Sequence, residues 1–199
     1  MPGPKAAEAI RREQILKAAY QVALRRGIDG LTVRAVAARA RMSHGLVLFH
    51  FKRKDQLGLA LLDRVLETTV SLTIPGDIAA IASPRERLQR LFRHELNRLL
   101  VEPRRVRLLL EYWARGAHNA VIRAKIAAGL DRYRTAFREI AEEALPGAGR
   151  YGTAQGLAAV TVSLIVGYPV QAITEPDHIE LEEYLSAVHG ILGQTPLAA

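Results

Sequence analysis

Hydroxyl, imidazole and cationic side chains occur between residues 30 and 54 at spacings that suit nucleic-acid binding. Thr32 and Ser43 each precede a short segment with helical periodicity, where a hydroxyl can cap the free N–H groups of the first turn. His44 can donate to a purine nitrogen or a phosphate, and Lys52 and Lys54 are suited to phosphate. The chemistry that these residues indicate is the recognition of a polyanion.

Catalytic motifs are missing from the sequence. The six histidines do not pair with Ser, Asp or Glu at a nucleophilic or metal-ligand spacing, and neither a Gly-rich phosphate loop nor an HExxH motif occurs. We therefore expect a protein that is not an enzyme and that uses no cofactor or metal.

The net positive charge of the chain is confined to its first quarter. Residues 1–54 contain twelve Lys and Arg against three acidic residues, whereas the other 145 residues contain 16 basic and 17 acidic ones. A basic surface of this size attracts polyanions and gains free energy from the release of DNA counterions. A solvated basic face would show the same bias, so charge alone does not decide the function.

Two short helices joined by a tight turn are predicted within residues 30–54. After Thr32, a narrow apolar stripe runs from Val33 to Ala40, the pair Arg41-Met42 forms the turn, and Ser43 begins the second helix. Helices of two turns are unstable alone. They must pack on a first helix at about residues 8–26, which Gly27 ends, and this predicts a three-helix helix-turn-helix unit.

The remainder of the chain has helical periodicity and no hairpin signals. Proline-punctuated helices are predicted at about 54–71, 84–101, 104–115, 118–145, 152–173 and 178–192. The charge bias ends near Lys54. We therefore expect an all-α fold, with a DNA-binding domain at residues 1–53 and a larger helical domain at residues 54–199.

Two runs resemble the DNA-binding module of the TetR family of repressors. They are Leu-Thr-Val-Arg-x-Val-Ala-x-x-Ala at residues 31–40 and Ser-x-Gly-x-Val-x-x-His-Phe-Lys-x-Lys-x-x-Leu at residues 43–57. The run Leu-Glu-Tyr-Trp-Ala-Arg-Gly at residues 110–116 resembles the ligand domain of the choline-responsive BetI group. The resemblance implies a cytoplasmic homodimer that binds palindromic double-stranded operator DNA and is released by a small-molecule inducer. It also implies that residues 54–199 form the ligand-binding and dimerisation domain.

The resemblance also implies which residues contact DNA, since the N-terminal part of the recognition helix enters the major groove. Apolar side chains there suit thymine methyl groups, and Arg34 suits a guanine. Val47 and Phe51 are expected in the core, with His50 as a packed support. The expected DNA-contacting residues are Thr32, Arg34, Ser43, His44, Gly45, Leu46, Leu48, Phe49, Lys52 and Lys54.

Two positions depart from the family pattern. Leu48 stands where a tyrosine usually bonds phosphate, so one phosphate contact is expected to be missing. Arg41 stands where the turn usually has glycine, at a cost of roughly 1 kcal/mol if the backbone adopts a positive φ. Both departures predict an operator preference particular to this protein.

An inducer pocket is expected among polar and aromatic residues of the mid-chain helices. A carboxylate with aromatic rings suits a cationic ligand, whereas Arg107 and His94 would suit an anion, and each aromatic side chain could instead belong to the core. The inducer's identity stays open. The candidates are His94, Arg107, Glu111, Tyr112, Trp113, Tyr133, Phe137 and Tyr168.

The last two helices are expected to pair across a two-fold axis. Residues 151–174 lack formal charge and are long enough to span a bilayer, but the polar residues among them and the lack of a second span favour a buried dimer helix. We expect no membrane partner, and the absence of cysteine fits a reducing compartment. The expected interface residues are Leu157, Val160, Leu164, Leu181, Leu185 and Val188.

One alternative within the DNA-binding class stays open. A ligand-independent architectural DNA-binding protein would share the basic helix-turn-helix and the helical remainder, and would differ only in lacking an inducer.

Overall fold

All regular secondary structure in the described part of the chain is α-helix. The computed structural model describes residues 4–71, 73–144, 153–176 and 180–193. The helices are α1 (Pro4–Arg26), α2 (Val33–Ala40), α3 (His44–Phe51), α4 (Lys54–Thr69), α5 (Gly76–Ala79), α6 (Pro84–Leu100), α7 (Pro103–Gly116), α8 (Ala120–Ala144), α9 (Ala154–Thr174) and α10 (Leu181–Gly193). The all-α prediction is confirmed. Only α5 was not predicted, because a single turn is too short to show periodicity.

Side-chain caps explain where several later helices begin. The Ser83 hydroxyl accepts from the Glu86 N–H at 3.4 Å, directly before Pro84, which needs no hydrogen-bond partner at the start of α6. Asn119 accepts from Val121 and Ile122 at the start of α8, at 3.0 and 3.1 Å. The helix boundaries predicted from proline and polar residues therefore coincide with helix ends in the structure.

The first of two compact units is formed by the described residues within Met1–Val70 and Arg104–Ala128. Its core includes Ile15 of α1, Val47 of α3 and Leu61 of α4, all fully buried. Helix α4 packs on α1 and α3, and the Tyr112 hydroxyl of α7 donates to the Gly58 carbonyl of α4 at 2.8 Å. The unit therefore extends past the expected boundary at residue 54, because α4 and α7 bury their apolar faces within it.

The second unit contains the described residues within Ser71–Pro103 and Gly129–Ala199. Helix α6 packs on α9, and the Tyr184 hydroxyl of α10 donates to the Leu164 carbonyl of α9 at 2.7 Å. The Tyr168 and Tyr184 rings lie 4.5 Å apart. These contacts join α6, α9 and α10 around a shared core.

Helix α9 is the one helix in the described ranges that is long and apolar enough to cross a membrane. Its buried face, which includes Leu157, Val162 and Ile165, faces the protein core. Length and composition of a single helix are weak evidence for a span, since core helices of other proteins share them.

Candidate DNA-binding interface

The supporting helix α2 begins at the expected cap. The Thr32 hydroxyl accepts from the Ala35 N–H at 3.1 Å, and the Thr32 carbonyl accepts from Val36 at 3.0 Å. Leu31 and Val36 are both buried. The N-cap prediction for Thr32 is confirmed. Arg34, in the first turn of the helix, is exposed.

The turn between α2 and α3 has left-handed backbone at Arg41, with φ 55° and ψ 44°. The Arg41 N–H bonds the Ala38 carbonyl at 3.3 Å and the Met42 N–H bonds the Ala37 carbonyl at 3.0 Å. This pair of bonds is the Schellman arrangement, which usually has glycine at the left-handed residue. The turn geometry is therefore kept despite the substitution, and Arg41 carries a conformational cost of about 1 kcal/mol.

Helix α3 presents one face to the core and the other to solvent. Its cap is Ser43, whose hydroxyl accepts from the Leu46 N–H at 3.1 Å. Val47 and Phe51 are buried, as predicted. His44 and Gly45 are exposed, and Phe49 keeps 71% of its surface accessible.

The exposed face of α3 is mostly apolar. Leu46 and Leu48 are half-buried beside Phe49, so His44 is the main hydrogen-bonding side chain in its first turn. A Cβ atom added to Gly45 would meet nothing within 4 Å. Glycine at this position is therefore not required by packing within the protein, and the open space suits close approach of another molecule.

Arg12 of α1 fixes the end of α3, a role that the sequence did not reveal. Its Nη1 donates to the His50 carbonyl at 3.2 Å, and its guanidinium lies 4.2 Å from the centre of the Phe51 ring. The contact joins residues 38 positions apart, beyond the reach of local periodicity. It satisfies a carbonyl in the last turn of α3, where a cation also complements the helix dipole.

Among the residues that the structure describes, some cations of the first unit are paired with carboxylates, and those around α2 and α3 are not. Arg64, Arg115 and Lys125 form ion pairs with Glu13, Asp29 and Asp63. Within the described residues no such pair involves the exposed cations of the helix-turn-helix segment. These cations are Arg34, Arg39, Arg41, Lys52, Arg53 and Lys54. Unneutralised charge beside an exposed helix gives the positive potential that attracts DNA phosphate.

The candidate ligand residues fall into two groups, one in each compact unit. Arg107, Glu111, Tyr112 and Trp113 lie on α7 in the first unit, and His94, Tyr133, Phe137 and Tyr168 lie in the second.

In the first unit, two of these residues are engaged by the protein itself. The Glu111 carboxylate accepts from the Ile28 N–H at 2.7 Å. Burial raises the pKa of the Tyr112 hydroxyl, which bonds Gly58. The buried Trp113 Nε1 has no hydrogen-bond partner in the described structure, and Arg107 is exposed. An open cavity of about 710 Å³ lies beside Asp29, Glu111 and His118.

In the second unit, a fully buried carboxylate forms a hydrogen bond with one of the candidate aromatic residues. The Tyr133 hydroxyl donates to Glu95 at 2.6 Å, and Arg98 Nε donates to the same carboxylate at 3.0 Å. The Tyr133 and Phe137 rings meet edge to face at 5.2 Å. Burial raises the pKa of Tyr133, and the charge of Glu95 raises it further. Sequence reasoning missed Glu95, although its place on the apolar face of α6 was a usable signal.

The residues expected at the dimer interface differ in how much of their surface is buried within the chain. Leu157, Leu185 and Val188 are buried within the chain itself, with 9%, 1% and 2% of their surface exposed. Leu164 and Leu181 are half-buried, and Val160 is 48% exposed. The apolar surface of the first three residues is therefore used inside one protomer. Among the described residues no group of three His, Cys, Asp or Glu side chains could hold a metal ion.

Comparison with protein families identifies both parts of the chain. The family described as "Bacterial regulatory proteins, tetR family" matches residues 15–61. The family described as "BetI-type transcriptional repressor, C-terminal" matches residues 84–195, which is more than half of the chain. The chain belongs to the TetR family. This TetR-family protein is a transcriptional regulator of BetI type, and its relatives are regulators and not enzymes, as the sequence predicted.

Individual relatives agree with this assignment. The HTH-type transcriptional regulator BetI of Paraburkholderia phymatum is 31% identical over 152 residues, covering 76% of this chain and 77% of the relative. An uncharacterised HTH-type regulator from the dhlA 5′ region of Xanthobacter autotrophicus is 29% identical over 177 residues, covering 85% and 83%.

The fold of this TetR-family regulator also matches solved structures. A transcriptional regulator from Saccharomonospora viridis, crystallised in complex with choline, superposes with a TM-score of 0.74. It covers 94% of this chain and 97% of its own, at 20% identity, and at this identity the likeness concerns the fold.

Proposed function

We propose that this regulator is a homodimeric repressor that binds palindromic operator DNA through α2 and α3 and is released by a small-molecule inducer. The observation that carries the proposal is the capped α2–turn–α3 segment, whose exposed face is bordered by cations without carboxylate partners. Such a segment fits the major groove, with α3 against the bases and the cations against phosphates.

Each expected DNA contact has a distinct role in this proposal. The α2 and α3 N-termini, capped by Thr32 and Ser43, offer backbone N–H groups and helix dipoles to phosphates. Arg34 is suited to bidentate contact with a guanine, and His44 to a purine nitrogen. Lys52 and Lys54 act as phosphate contacts, and the three apolar residues of α3 that are not buried face thymine methyl groups. The contacting set is Thr32, Arg34, Ser43, His44, Gly45, Leu46, Leu48, Phe49, Lys52 and Lys54.

The proposed dimer uses α9 and α10. One face of α9 exposes Gly156, Val160 and Ser163 at helical spacing, with Gly167 further along the same stripe. A side chain on Gly167 would meet nothing within 4 Å in the protomer. Small residues permit close approach of a second α9, and an isologous pair presents two α3 helices to half-sites about one DNA turn apart.

The proposed inducer is a small organic cation. The Tyr133 and Phe137 rings offer aromatic faces that attract a cation, whereas the charge of the neighbouring Glu95 is already paired with Arg98. The BetI-type C-terminal segment and the choline in the Saccharomonospora viridis structure point the same way. The inducer would favour one dimer state and lower operator affinity by the same factor by which DNA lowers inducer affinity.

Two substitutions test the DNA-binding part of the proposal in an operator titration by fluorescence anisotropy. Arg34→Ala should relax sequence preference, because it removes a base contact worth about 1–3 kcal/mol of discrimination. Lys54→Ala should weaken binding to all sequences alike and reduce the salt slope by about one. Equal, sequence-blind losses from both variants would contradict the assignment of Arg34 to a base.

A ligand screen tests the inducer part. Choline, betaine-like zwitterions and small anions are compared by thermal shift, and each stabilising compound is then added to the operator titration. A cation that stabilises the protein and releases the operator supports the proposal. Absence of any stabilising compound favours the architectural DNA-binding alternative.

A further inference from the structure

A hydrogen bond from a backbone amide joins the connection between α1 and α2 to α7. The Glu111 carboxylate on α7 accepts from the Ile28 N–H at 2.7 Å. Ile28 lies within the segment matched by the tetR family, and Glu111 lies within the BetI-type segment. The bond therefore links the DNA-binding segment to a helix of the C-terminal segment, inside one compact unit.

The backbone on the DNA-binding side is shaped to admit this carboxylate. Gly27 ends α1 with φ +67°, and its N–H bonds the Ala23 carbonyl at 2.8 Å. A Cβ atom on Gly27 would lie 3.0 Å from both Glu111 carboxylate oxygens. Glycine is thus required at this position for two reasons: the backbone is left-handed, and Glu111 approaches closely.

The Ile28 N–H depends on Glu111. Only 6% of the surface of Ile28 is exposed, and within the described structure its N–H has no backbone acceptor. A buried N–H without an acceptor is costly, and a carboxylate is a stronger acceptor than a neutral oxygen. Loss of the Glu111 carboxylate therefore leaves this buried amide without its acceptor.

Two further side chains of α7 also contact the elements around the helix-turn-helix. Tyr112 anchors α7 to α4 through the Gly58 carbonyl, so α7 contacts both elements that flank the helix-turn-helix. Arg115, one turn after Glu111, pairs with Asp29. That pair is exposed, with 42% and 97% of its side chains accessible, and exposed pairs contribute little.

We propose that Glu111 is a positioning residue for operator binding: it holds the α1–α2 connection, and a shift of α7 changes the orientation of α2 and α3. This inference rests on the proposed function. It reassigns Glu111, a candidate ligand residue by sequence, to the backbone amide that it bonds. The open cavity beside Glu111 leaves space into which the carboxylate can withdraw.

The test uses the full-length protein and two substitutions at one position. Glu111→Gln keeps an acceptor for the Ile28 N–H, whereas Glu111→Leu removes it. Hydrogen exchange of the Ile28 amide is measured by NMR, and operator affinity by anisotropy. Glu111→Leu should speed exchange and weaken operator binding by about tenfold each, and Glu111→Gln should change either by less than about threefold.

Controls separate the bond from a change of charge or a loss of folding. Glu67→Leu removes an exposed carboxylate from α4 of the same unit and should change neither measurement. Glu111→Ala also removes the acceptor, and should speed Ile28 exchange as Glu111→Leu does. If Glu111→Leu does not fold by circular dichroism, Glu111→Ala serves as the test.

Two results would overturn the inference. One is an unchanged Ile28 exchange rate in both Glu111→Leu and Glu111→Ala. The other is faster exchange with unchanged operator affinity. If the unmodified protein binds no operator, the proposed function fails, and the exchange measurement still reports whether Glu111 holds Ile28.

Discussion

The guanidinium of Arg12 lies over the ring of Phe51, 4.2 Å from its centre, and so joins α1 to the end of the recognition helix. The same side chain donates to the carbonyl of His50. Phe51 is itself buried. The orientation of α3 is therefore held from α1 as well as by its own apolar face.

Replacing Arg12 should loosen α3. Arg12→Ala removes an exposed cation–π contact and a hydrogen bond, so we expect the free energy of unfolding to fall by about 1 kcal/mol and operator affinity to fall several-fold. The matched control is Arg11→Ala, which removes the same charge one position away, where the side chain bonds only the exposed Gln14. Equal losses in urea unfolding and in operator binding from both variants would contradict a specific role for Arg12.

Gly45 should show opposite effects on stability and on DNA binding. Gly45→Ala is expected to stabilise the protein by about 0.5–1 kcal/mol, because glycine inside a helix is unfavourable and a Cβ there meets nothing. The same Cβ should reduce operator affinity by filling space needed by DNA. Gly58→Ala, on α4 and equally open, should stabilise the protein without weakening binding. An operator affinity unchanged by Gly45→Ala would show that DNA does not approach this face.

Thymine methyl groups should contribute to operator recognition through Leu46 and Leu48. Replacing a contacted thymine by deoxyuridine should lower affinity about fourfold per buried methyl, from the usual transfer free energy of one such group. The same replacement between the half-sites serves as the control. In Leu46→Ala or Leu48→Ala the preference for thymine at the facing position should disappear. Identical binding of thymine and deoxyuridine operators would exclude this form of recognition.

The Tyr133–Glu95 hydrogen bond should make stability depend on alkaline pH. Near pH 8, Tyr133→Phe should cost about 1–3 kcal/mol, because it removes a buried hydrogen bond to a carboxylate. Burial raises the pKa of Tyr133 in the folded protein, so the unfolded chain ionises first, from about pH 10. The stability of the unmodified protein therefore falls above that pH, and the cost of Tyr133→Phe should shrink. Urea unfolding of the unmodified protein and of Tyr133→Phe at pH 8 and pH 11 measures the stability of each. An equal loss of stability from Tyr133→Phe at the two pH values would contradict the role of this hydrogen bond.

Local features of the sequence were sufficient to predict the DNA-binding segment. The caps at Thr32 and Ser43 and the core positions Val47 and Phe51 depend on neighbours within a few residues, and the structure confirms them. Helix ends marked by proline or a polar cap were predicted equally well.

Contacts between distant residues could not be predicted in this way. Arg12 meets the end of α3, Glu111 meets Ile28 from 83 positions away, and Glu95 bonds Tyr133 from another helix. The periodicity of a helix shows that one face is buried but not which partner covers it. For the same reason Leu185 and Val188 looked like interface residues, although they are buried inside the protomer.

Selection of operator sequences from a random pool of double-stranded DNA shows whether the protein binds a palindrome through α2 and α3. The purified protein is incubated with the pool at moderate salt, and bound fragments are sequenced over several rounds. We predict a palindromic consensus with half-sites about one helical turn apart, and a loss of enrichment when Arg34 and Lys54 are both replaced by alanine. Enrichment of no sequence, or of one without two-fold symmetry, would contradict it.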